Sequence, residues 1–140
     1  MSLNFNKLEL HNKNIVIIED DIPSVKYYQT LLSNTGTNMK VFTNGKDFID
    51  YLNDTNDRID LVLIDFLIPF INGIECTRIF RKERKNIPVL MLTAYYTEQS
   101  RNEAFIAGCN EYVLKPVYPE KVFYLLEKYL KPEVSYLSVS

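Results

Sequence analysis

Polar side chains able to do chemistry follow the apolar runs of this sequence, at the points where those runs end. They are three consecutive acids, Glu19, Asp20 and Asp21, and then Asp65, Thr93 and Lys115. Adjacent carboxylates repel one another and resist leaving water, and a divalent cation would offset that repulsion. Carboxylate oxygens suit Mg²⁺, which keeps several waters and commonly bridges to a phosphate. These residue types therefore indicate a site for a divalent cation such as Mg²⁺.

Each of these residues also has a structural interpretation, which the sequence leaves open. Asp21 lies shortly before a proline, as the N-cap of a helix would. Thr93 fits an ordinary hydroxyl at the end of a strand, and Lys115 fits a solvated charge before a turn. Asp65 is harder to explain in this way, because the apolar segment 66–71 follows it where a plain turn would be polar.

The apolar runs alternate with stretches of helical periodicity. Most are short, rich in Val and Ile, and apolar in succession, which is typical of strands covered on both faces. The predicted strands cover residues 14–18, 39–42, 61–64, 89–92 and 112–114. The predicted helices cover residues 24–33, 46–53, 74–84, 98–107 and 119–130. This order predicts an α/β fold with a parallel sheet, helices on both faces and right-handed crossovers.

The predicted sheet determines where the polar residues lie. Ligands of parallel α/β sheets bind beyond the carboxyl ends of the strands. Acids from two strand ends, the Thr93 hydroxyl and the Lys115 ammonium would therefore converge on one pocket.

The composition fits one domain. A chain of 140 residues, 46% hydrophobic and 24% charged, can bury a core of its own. Its net charge of -2 gives no basic field for nucleic acid. Cys76 and Cys109 have neither a C-x-x-C spacing nor a secretory leader, so we expect two reduced thiols. No segment approaches the ~20 apolar residues that span a membrane, and we expect a cytoplasmic protein.

Four motifs resemble those of a known family. IVIIEDD, LVLIDFLIPFING with its D-x-x-x-P-x-x-x-G spacing, VLMLTA and YVLKP occur in this order. Together they are similar to the response-regulator receiver domains of two-component signalling. The resemblance covers residues 13–131, between an N-terminal extension at 1–12 and a C-terminal tail at 132–140. It implies a doubly wound (βα)5 flavodoxin-like sandwich whose five-stranded parallel sheet has the order 2-1-3-4-5.

The resemblance also implies a role for each acidic residue of the pocket. Asp65 would be the phosphoacceptor. Glu19 and Asp20 would hold Mg²⁺ together with Asp65 and the backbone carbonyl of Leu67. Asp20 would be a direct ligand, and Glu19 would act through a water molecule.

The remaining site residues would bind the phosphoryl group and report its presence. Thr93 and the backbone amide of Ala94 would bind phosphoryl oxygens, and Lys115 would pair with them. Tyr112 would be an aromatic switch that turns inward when Thr93 moves towards the phosphate. The resemblance also implies a cis peptide bond between Lys115 and Pro116.

The implied function is a phosphorylation-controlled binding module. A sensor histidine kinase or a phosphotransfer protein would supply the phosphoryl group. The face formed by the fourth helix, the fifth strand and the fifth helix would then bind an unknown output partner or a second phosphorylated copy. Neither nucleic acid nor a membrane would be a partner. The only catalysis would be the domain's own phosphoryl transfer and slow dephosphorylation.

Three alternatives stay open. The chain could be the receiver module of a hybrid histidine kinase. A Mg²⁺-dependent phosphohydrolase uses similar residues, although its usual D-x-D pair differs from the adjacent acids of this sequence. A scaffold that keeps the fold without being phosphorylated is a third class, and the complete set of site residues argues against it.

One apolar and one bulky aromatic residue bear on the lifetime of the phosphorylated state. Leu67 and Tyr95 resemble the variable positions beside the water path to the acyl phosphate. Neither side chain can easily orient an attacking water, so we predict a long-lived phospho-Asp65.

Overall fold

The computed structural model describes residues 8–131, which form five strands and five helices in alternation. The strands are β1 (Asn14–Ile18), β2 (Asn38–Phe42), β3 (Leu61–Ile64), β4 (Val89–Thr93) and β5 (Glu111–Leu114). The helices are α1 (Ile22–Leu32), α2 (Gly45–Asp54), α3 (Gly73–Glu83), α4 (Glu98–Ala107) and α5 (Pro119–Leu130). The predicted α/β alternation is thus confirmed. Within residues 8–131, no helix is both long and apolar enough to cross a membrane.

The strands form one parallel sheet in the order β2-β1-β3-β4-β5, as predicted for the doubly wound fold. The register pairs Ile18 of β1 with Ile64 of β3. It also pairs Thr93 of β4 with Leu114 of β5. Because all five strands run the same way, the residues that follow them meet at one edge of the sheet.

The core has two layers, because consecutive strand residues point to opposite faces of a sheet. In β1, Ile15 and Ile17 pack with apolar residues of α1 and α5. Val16 and Ile18 pack on the other face, with apolar residues of α2, α3 and α4. All four side chains are buried, which explains why β1 is an unbroken apolar run.

Helix α1 begins at Ile22, two residues before the predicted start at Ser24. Asp21 is its N-cap, and Pro23 lies in the first turn, where the missing N–H group costs no hydrogen bond. The first buried residue of the helix is Val25. The apolar periodicity therefore placed the start of the helix too late. The other predicted bounds agree with the structure to within one residue.

The segment before β1 is packed against the rest of the domain. Leu10 is buried, and its backbone N–H donates to the Thr35 carbonyl at 2.6 Å. The His11 ring lies over Gly36, whose φ is +81°, and a Cβ there would lie 2.3 Å from His11 Nδ1. These contacts hold the segment to the loop between α1 and β2.

Cys76 and Cys109 are free and buried. Burial raises the pKa of both thiols to about 12, so little reactive thiolate exists at neutral pH. We expect both thiols to react with DTNB more than about a thousandfold more slowly than a free thiol, until urea unfolds the chain. Fast reaction of either thiol in the native protein would contradict this expectation.

Candidate functional site

The register of β1 and β3 brings Glu19 and Asp65 together at the carboxyl edge of the sheet. They follow the paired residues Ile18 and Ile64, and the Asp65 N–H donates to the Ile18 carbonyl at 3.1 Å. Glu19 is 2% exposed and Asp65 is 9% exposed. Two carboxylates so far removed from water require a positive partner in the protein.

Lys115, directly after β5, is that partner. Its Nζ atom lies 3.0 Å from Asp65 Oδ2 and also donates to Glu19 Oε1. The third contact of Nζ is with Ser24 Oγ, in the first turn of α1, at 3.4 Å. The three hydrogens of one ammonium group thus have acceptors on three different segments of the chain. The peptide bond between Lys115 and Pro116 is cis, as implied by the resemblance.

Burial and pairing have opposite effects on the pKa values of this group. Burial raises the pKa of Glu19, although the hydrogen bond from Lys115 acts in the other direction. Burial alone would lower the pKa of Lys115, but its hydrogen bonds to Glu19 and Asp65 outweigh that effect and raise the pKa. Lys115 is therefore charged at neutral pH and is a fixed counter-ion for the two acids.

The three consecutive acids separate into two positions. Glu19 is buried, whereas Asp20 and Asp21 are exposed. The Oδ2 atom of Asp21 accepts hydrogen bonds from the backbone N–H of Ser24 at 3.1 Å and from its hydroxyl at 2.6 Å. These hydrogen bonds lower the pKa of Asp21. The interpretation of Asp21 as a helix N-cap is thus confirmed.

Thr93 lies at the end of β4, near the exposed Ala94. The Thr93 side chain is buried, and its Oγ1 atom accepts a hydrogen bond from the Tyr95 N–H at 3.2 Å. The Thr93 carbonyl accepts from the backbone N–H of Lys115 at 2.8 Å. This backbone hydrogen bond ties the segment that carries the lysine to the strand that carries the hydroxyl.

The loop between β3 and α3 closes tightly around Asp65. The backbone N–H of Leu67 donates to Asp65 Oδ1 at 3.2 Å, while the Leu67 side chain is 57% exposed. A Cβ at Gly73 would lie 2.2 Å from the Asp65 carbonyl oxygen. Only glycine therefore fits the G of the D-x-x-x-P-x-x-x-G pattern without a shift of the backbone.

Tyr112 lies in β5 beside the loop between β4 and α4. Its hydroxyl donates to the Tyr95 carbonyl at 2.6 Å and lies 3.1 Å from Ser100 Oγ. Its ring meets the Tyr96 ring edge to face, with centroids 6.1 Å apart. The switch candidate is thus in contact with the backbone that follows Thr93.

Sequence reasoning missed two serines of this region. Ser24 lies three residues after the Asp21 cap, and this D-x-x-S spacing was a signal that could have pointed to it. Ser100 follows Thr97 at the same spacing and forms a capping box with it. The spacing indicates a helix start in both cases, but it does not reveal the contacts with Lys115 and Tyr112.

A sequence profile of the response regulator receiver domain matches residues 15–127 of the chain. The chain belongs to this receiver domain family. A solved receiver domain similar to it is the BeF3-activated form of DrrB, a protein of Thermotoga maritima. That structure is 29% identical, has a TM-score of 0.76, and covers 86% of this chain and 98% of its own.

Similar sequences occur in proteins of different kinds and lengths. The heme response regulator HssR of Staphylococcus epidermidis is 27% identical, over 84% of this chain and 51% of its own length. The hybrid signal transduction histidine kinase M of Dictyostelium discoideum is 30% identical, over 81% of this chain but 5% of its own length. This chain thus spans about half of the bacterial relative and a small part of the kinase.

The receiver domain has oxygen donors of the kind that Mg²⁺ prefers. Among residues 8–131, no three or more His, Cys, Asp or Glu side chains are already gathered as ligands for a metal ion. Glu19 and Asp65 instead share Lys115, and Asp20 is exposed next to Glu19. Such a partial set of carboxylates fits Mg²⁺, which commonly binds one or two protein carboxylates and keeps several waters.

Proposed function

We propose that this receiver domain accepts a phosphoryl group on Asp65 from the phosphohistidine of a sensor histidine kinase or a phosphotransfer protein. The observation that carries the proposal is the buried Asp65 carboxylate, held 3.0 Å from the Lys115 ammonium at the carboxyl edge of the sheet. A carboxylate oxygen forms the new bond to phosphorus while the P–N bond to the histidine breaks. The imidazole ring leaves with the electron pair of that bond.

The other residues of the site stabilise charge. Lys115 keeps Asp65 anionic before transfer and pairs with phosphoryl oxygens afterwards. The Thr93 hydroxyl and the Ala94 N–H donate to the remaining phosphoryl oxygens. Such fixed donors and charges are sufficient because phosphoryl transfer depends mainly on positioning and charge stabilisation.

A divalent cation belongs to the proposed site. Glu19, Asp20, Asp65 and the Leu67 carbonyl are the proposed ligands, and the oxygen-rich donor set supports Mg²⁺. When bound, Mg²⁺ supplies the positive charge that offsets the carboxylates and the phosphoryl oxygens. A solved receiver domain of the same fold, 22% identical, has magnesium in its active-site cleft.

The proposed output is a change in partner binding at the face formed by α4, β5 and α5, around Tyr112. Phosphorylation would favour one of two arrangements of this face, and an output partner or a second copy would bind it. We place the receiver domain at residues 13–131 of a cytoplasmic protein, between the extension 1–12 and the tail 132–140. The similarity to both response regulators and a hybrid kinase supports either as the parent protein.

Incubation with acetyl phosphate and MgCl₂ tests the proposal without a cognate kinase. We expect the intact mass to increase by one phosphoryl group, located in the peptide that contains Asp65. An unchanged mass, or a phosphoryl group on another peptide, would refute the assignment. Multiple turnovers of p-nitrophenyl phosphate would instead favour a phosphohydrolase, whereas we expect catalysis limited to self-phosphorylation and slow dephosphorylation.

The residues beside Asp65 predict a slow loss of the phosphoryl group. Leu67 offers an exposed apolar side chain, and the Tyr95 ring packs against the Phe66 ring with centroids 5.1 Å apart. Neither group can position a water for attack on phosphorus. We expect the double variant Leu67→Asn, Tyr95→Glu to lose its phosphoryl group about tenfold faster.

The decay of phosphorylated protein after removal of the donor measures this effect. Tyr124→Gln is a matched control, since Tyr124 is 58% exposed on α5. We expect the control to decay at the parent rate. Equal rates for the parent and the double variant would contradict the prediction.

A further inference from the structure

Ser100 connects α4 to Tyr112 through hydroxyl contacts that the proposed function does not use. The side chain is buried in the first turn of α4 and is 4% exposed. Its Oγ atom lies 3.1 Å from Tyr112 Oη. The same atom accepts from the Thr97 N–H at 3.0 Å and lies 2.9 Å from the Thr97 carbonyl oxygen. Ser100 thus belongs both to the capping box of α4 and to the surroundings of Tyr112.

The hydroxyl groups of Ser100 and Tyr112 have two protons between them and make three close contacts with hydrogen-bond acceptors. Tyr112 donates its proton to the Tyr95 carbonyl, over the shortest of the three distances, 2.6 Å. Its oxygen then accepts from Ser100, whose single proton is shared between Tyr112 and the Thr97 carbonyl. Ser100 therefore joins Tyr112 and the first turn of α4 in one hydrogen-bonded group.

Tyr95 extends this group to the proposed phosphorylation site. Its N–H donates to Thr93 Oγ1 at 3.2 Å, while its carbonyl accepts from Tyr112. The backbone of Tyr95 thus connects the Thr93 hydroxyl to Tyr112, so a movement of that hydroxyl also displaces the carbonyl that Tyr112 contacts. Ser100 contacts the same Tyr112 hydroxyl, so this hydroxyl has two hydrogen-bonding partners, one in the loop between β4 and α4 and one in α4.

We propose that Ser100 is a positioning residue for Tyr112, which it holds against the loop between β4 and α4 so that Tyr112 and α4 respond together to phosphorylation. The signalling consequence rests on the proposed phosphoacceptor role of Asp65, whereas the contact itself is measurable in the unmodified protein. Ser100 touches no reacting atom. Without the Ser100 hydroxyl, Tyr112 contacts Tyr95 in a smaller fraction of the molecules. Binding of a phosphoryl mimic must then restore this contact, so the apparent affinity of the domain for the mimic falls.

The test compares Ser100→Ala with Thr97→Ala, a matched control. Thr97→Ala removes the Oγ1 atom that caps the Ser100 N–H but leaves the contact between Ser100 and Tyr112. We titrate each variant with BeF3⁻ in the presence of Mg²⁺ and follow binding by NMR. We expect about fivefold weaker binding for Ser100→Ala, from the loss of one hydrogen bond, and a change within about twofold for Thr97→Ala.

A double variant separates the contact from a general effect on α4. Tyr112→Phe keeps the ring but loses the hydroxyl, so adding Ser100→Ala to it should weaken binding by less than about twofold. Equal weakening by Ser100→Ala and Thr97→Ala would mean that Ser100 acts only as a helix cap and would overturn the proposal. Fully additive effects of Ser100→Ala and Tyr112→Phe would also overturn it.

Tyrosine-labelled NMR of the unmodified protein gives a readout that does not depend on phosphorylation. The Tyr112 ring resonance, assigned by its absence in Tyr112→Phe, should shift in Ser100→Ala and not in Thr97→Ala. If no variant binds BeF3⁻, the proposed function fails and this resonance alone decides the inference. An unshifted resonance in Ser100→Ala would then overturn it.

Discussion

Replacing Lys115 with methionine is expected to lower the free energy of unfolding by about 3 kcal/mol at neutral pH. It should also slow the phosphorylation of Asp65 by about a hundredfold. Methionine keeps most of the apolar stem but leaves Glu19 and Asp65, 2% and 9% exposed, without their shared cation. The loss is large because it strands two buried negative charges beside each other.

Urea unfolding and the rate of phosphorylation by acetyl phosphate measure the two effects. Lys128→Met is a suitable control, because Lys128 pairs with Glu111 near the surface, at 43% and 21% side-chain exposure. That change should cost less than about 1 kcal/mol. Adding Glu19→Gln to Lys115→Met should restore part of the stability but not the phosphorylation rate. A Lys115→Met protein as stable as the parent would show that the acids are not held by this lysine.

Replacing Asp65 with asparagine is expected to abolish phosphorylation while leaving the fold intact. Asparagine keeps an oxygen for the contact with Lys115 but is not a nucleophile towards phosphorus. Modification by acetyl phosphate and Mg²⁺ that persisted in Asp65→Asn would place the phosphoryl group elsewhere. Thr55→Val, at the C-cap of α2 and away from the site, is not expected to alter the modification.

The variant Asp65→Asn should also change how the free energy of unfolding depends on pH. Burial, with a smaller contribution from the Asp65 charge, raises the pKa of Glu19 in the folded protein. The folded state then binds more protons than the unfolded state, so stability falls as the pH rises from about 4.5 through the raised pKa. Without the Asp65 charge the pKa of Glu19 is less raised, and Asp65→Asn should lose less stability over this interval. An identical pH dependence of urea unfolding would contradict this account.

The fold was largely predictable because the apolar runs and helix caps of the sequence mostly coincide with the buried strands and the helix ends of the structure. In β3, every residue of Leu61–Ile64 is buried, so the apolar run and the strand coincide. Helix α4 has a Thr97 cap at its start and Gly108, with φ of +117°, at its end. At α1, the polar cap and the apolar periodicity gave different starts, and the cap determined the structure.

The site was predictable in its place but not in its contacts. Strand order and register placed Glu19, Asp65, Thr93 and Lys115 at one edge, since each ends or directly follows a parallel strand. That the buried acid is Glu19 while Asp20 is exposed depends on the exact direction of the chain after β1, which residue types do not fix. The contact between Ser100 and Tyr112 likewise joins two elements and has no signature in either one.

The burial of Leu10 limits where a shortened version of this domain can begin. A fragment that starts at Lys13, where the family resemblance begins, would lack a side chain that is 1% exposed in the layer beneath α1. It would also leave the Thr35 carbonyl without the Leu10 N–H that it accepts from. The family resemblance and the packed fold therefore start at different positions in this chain.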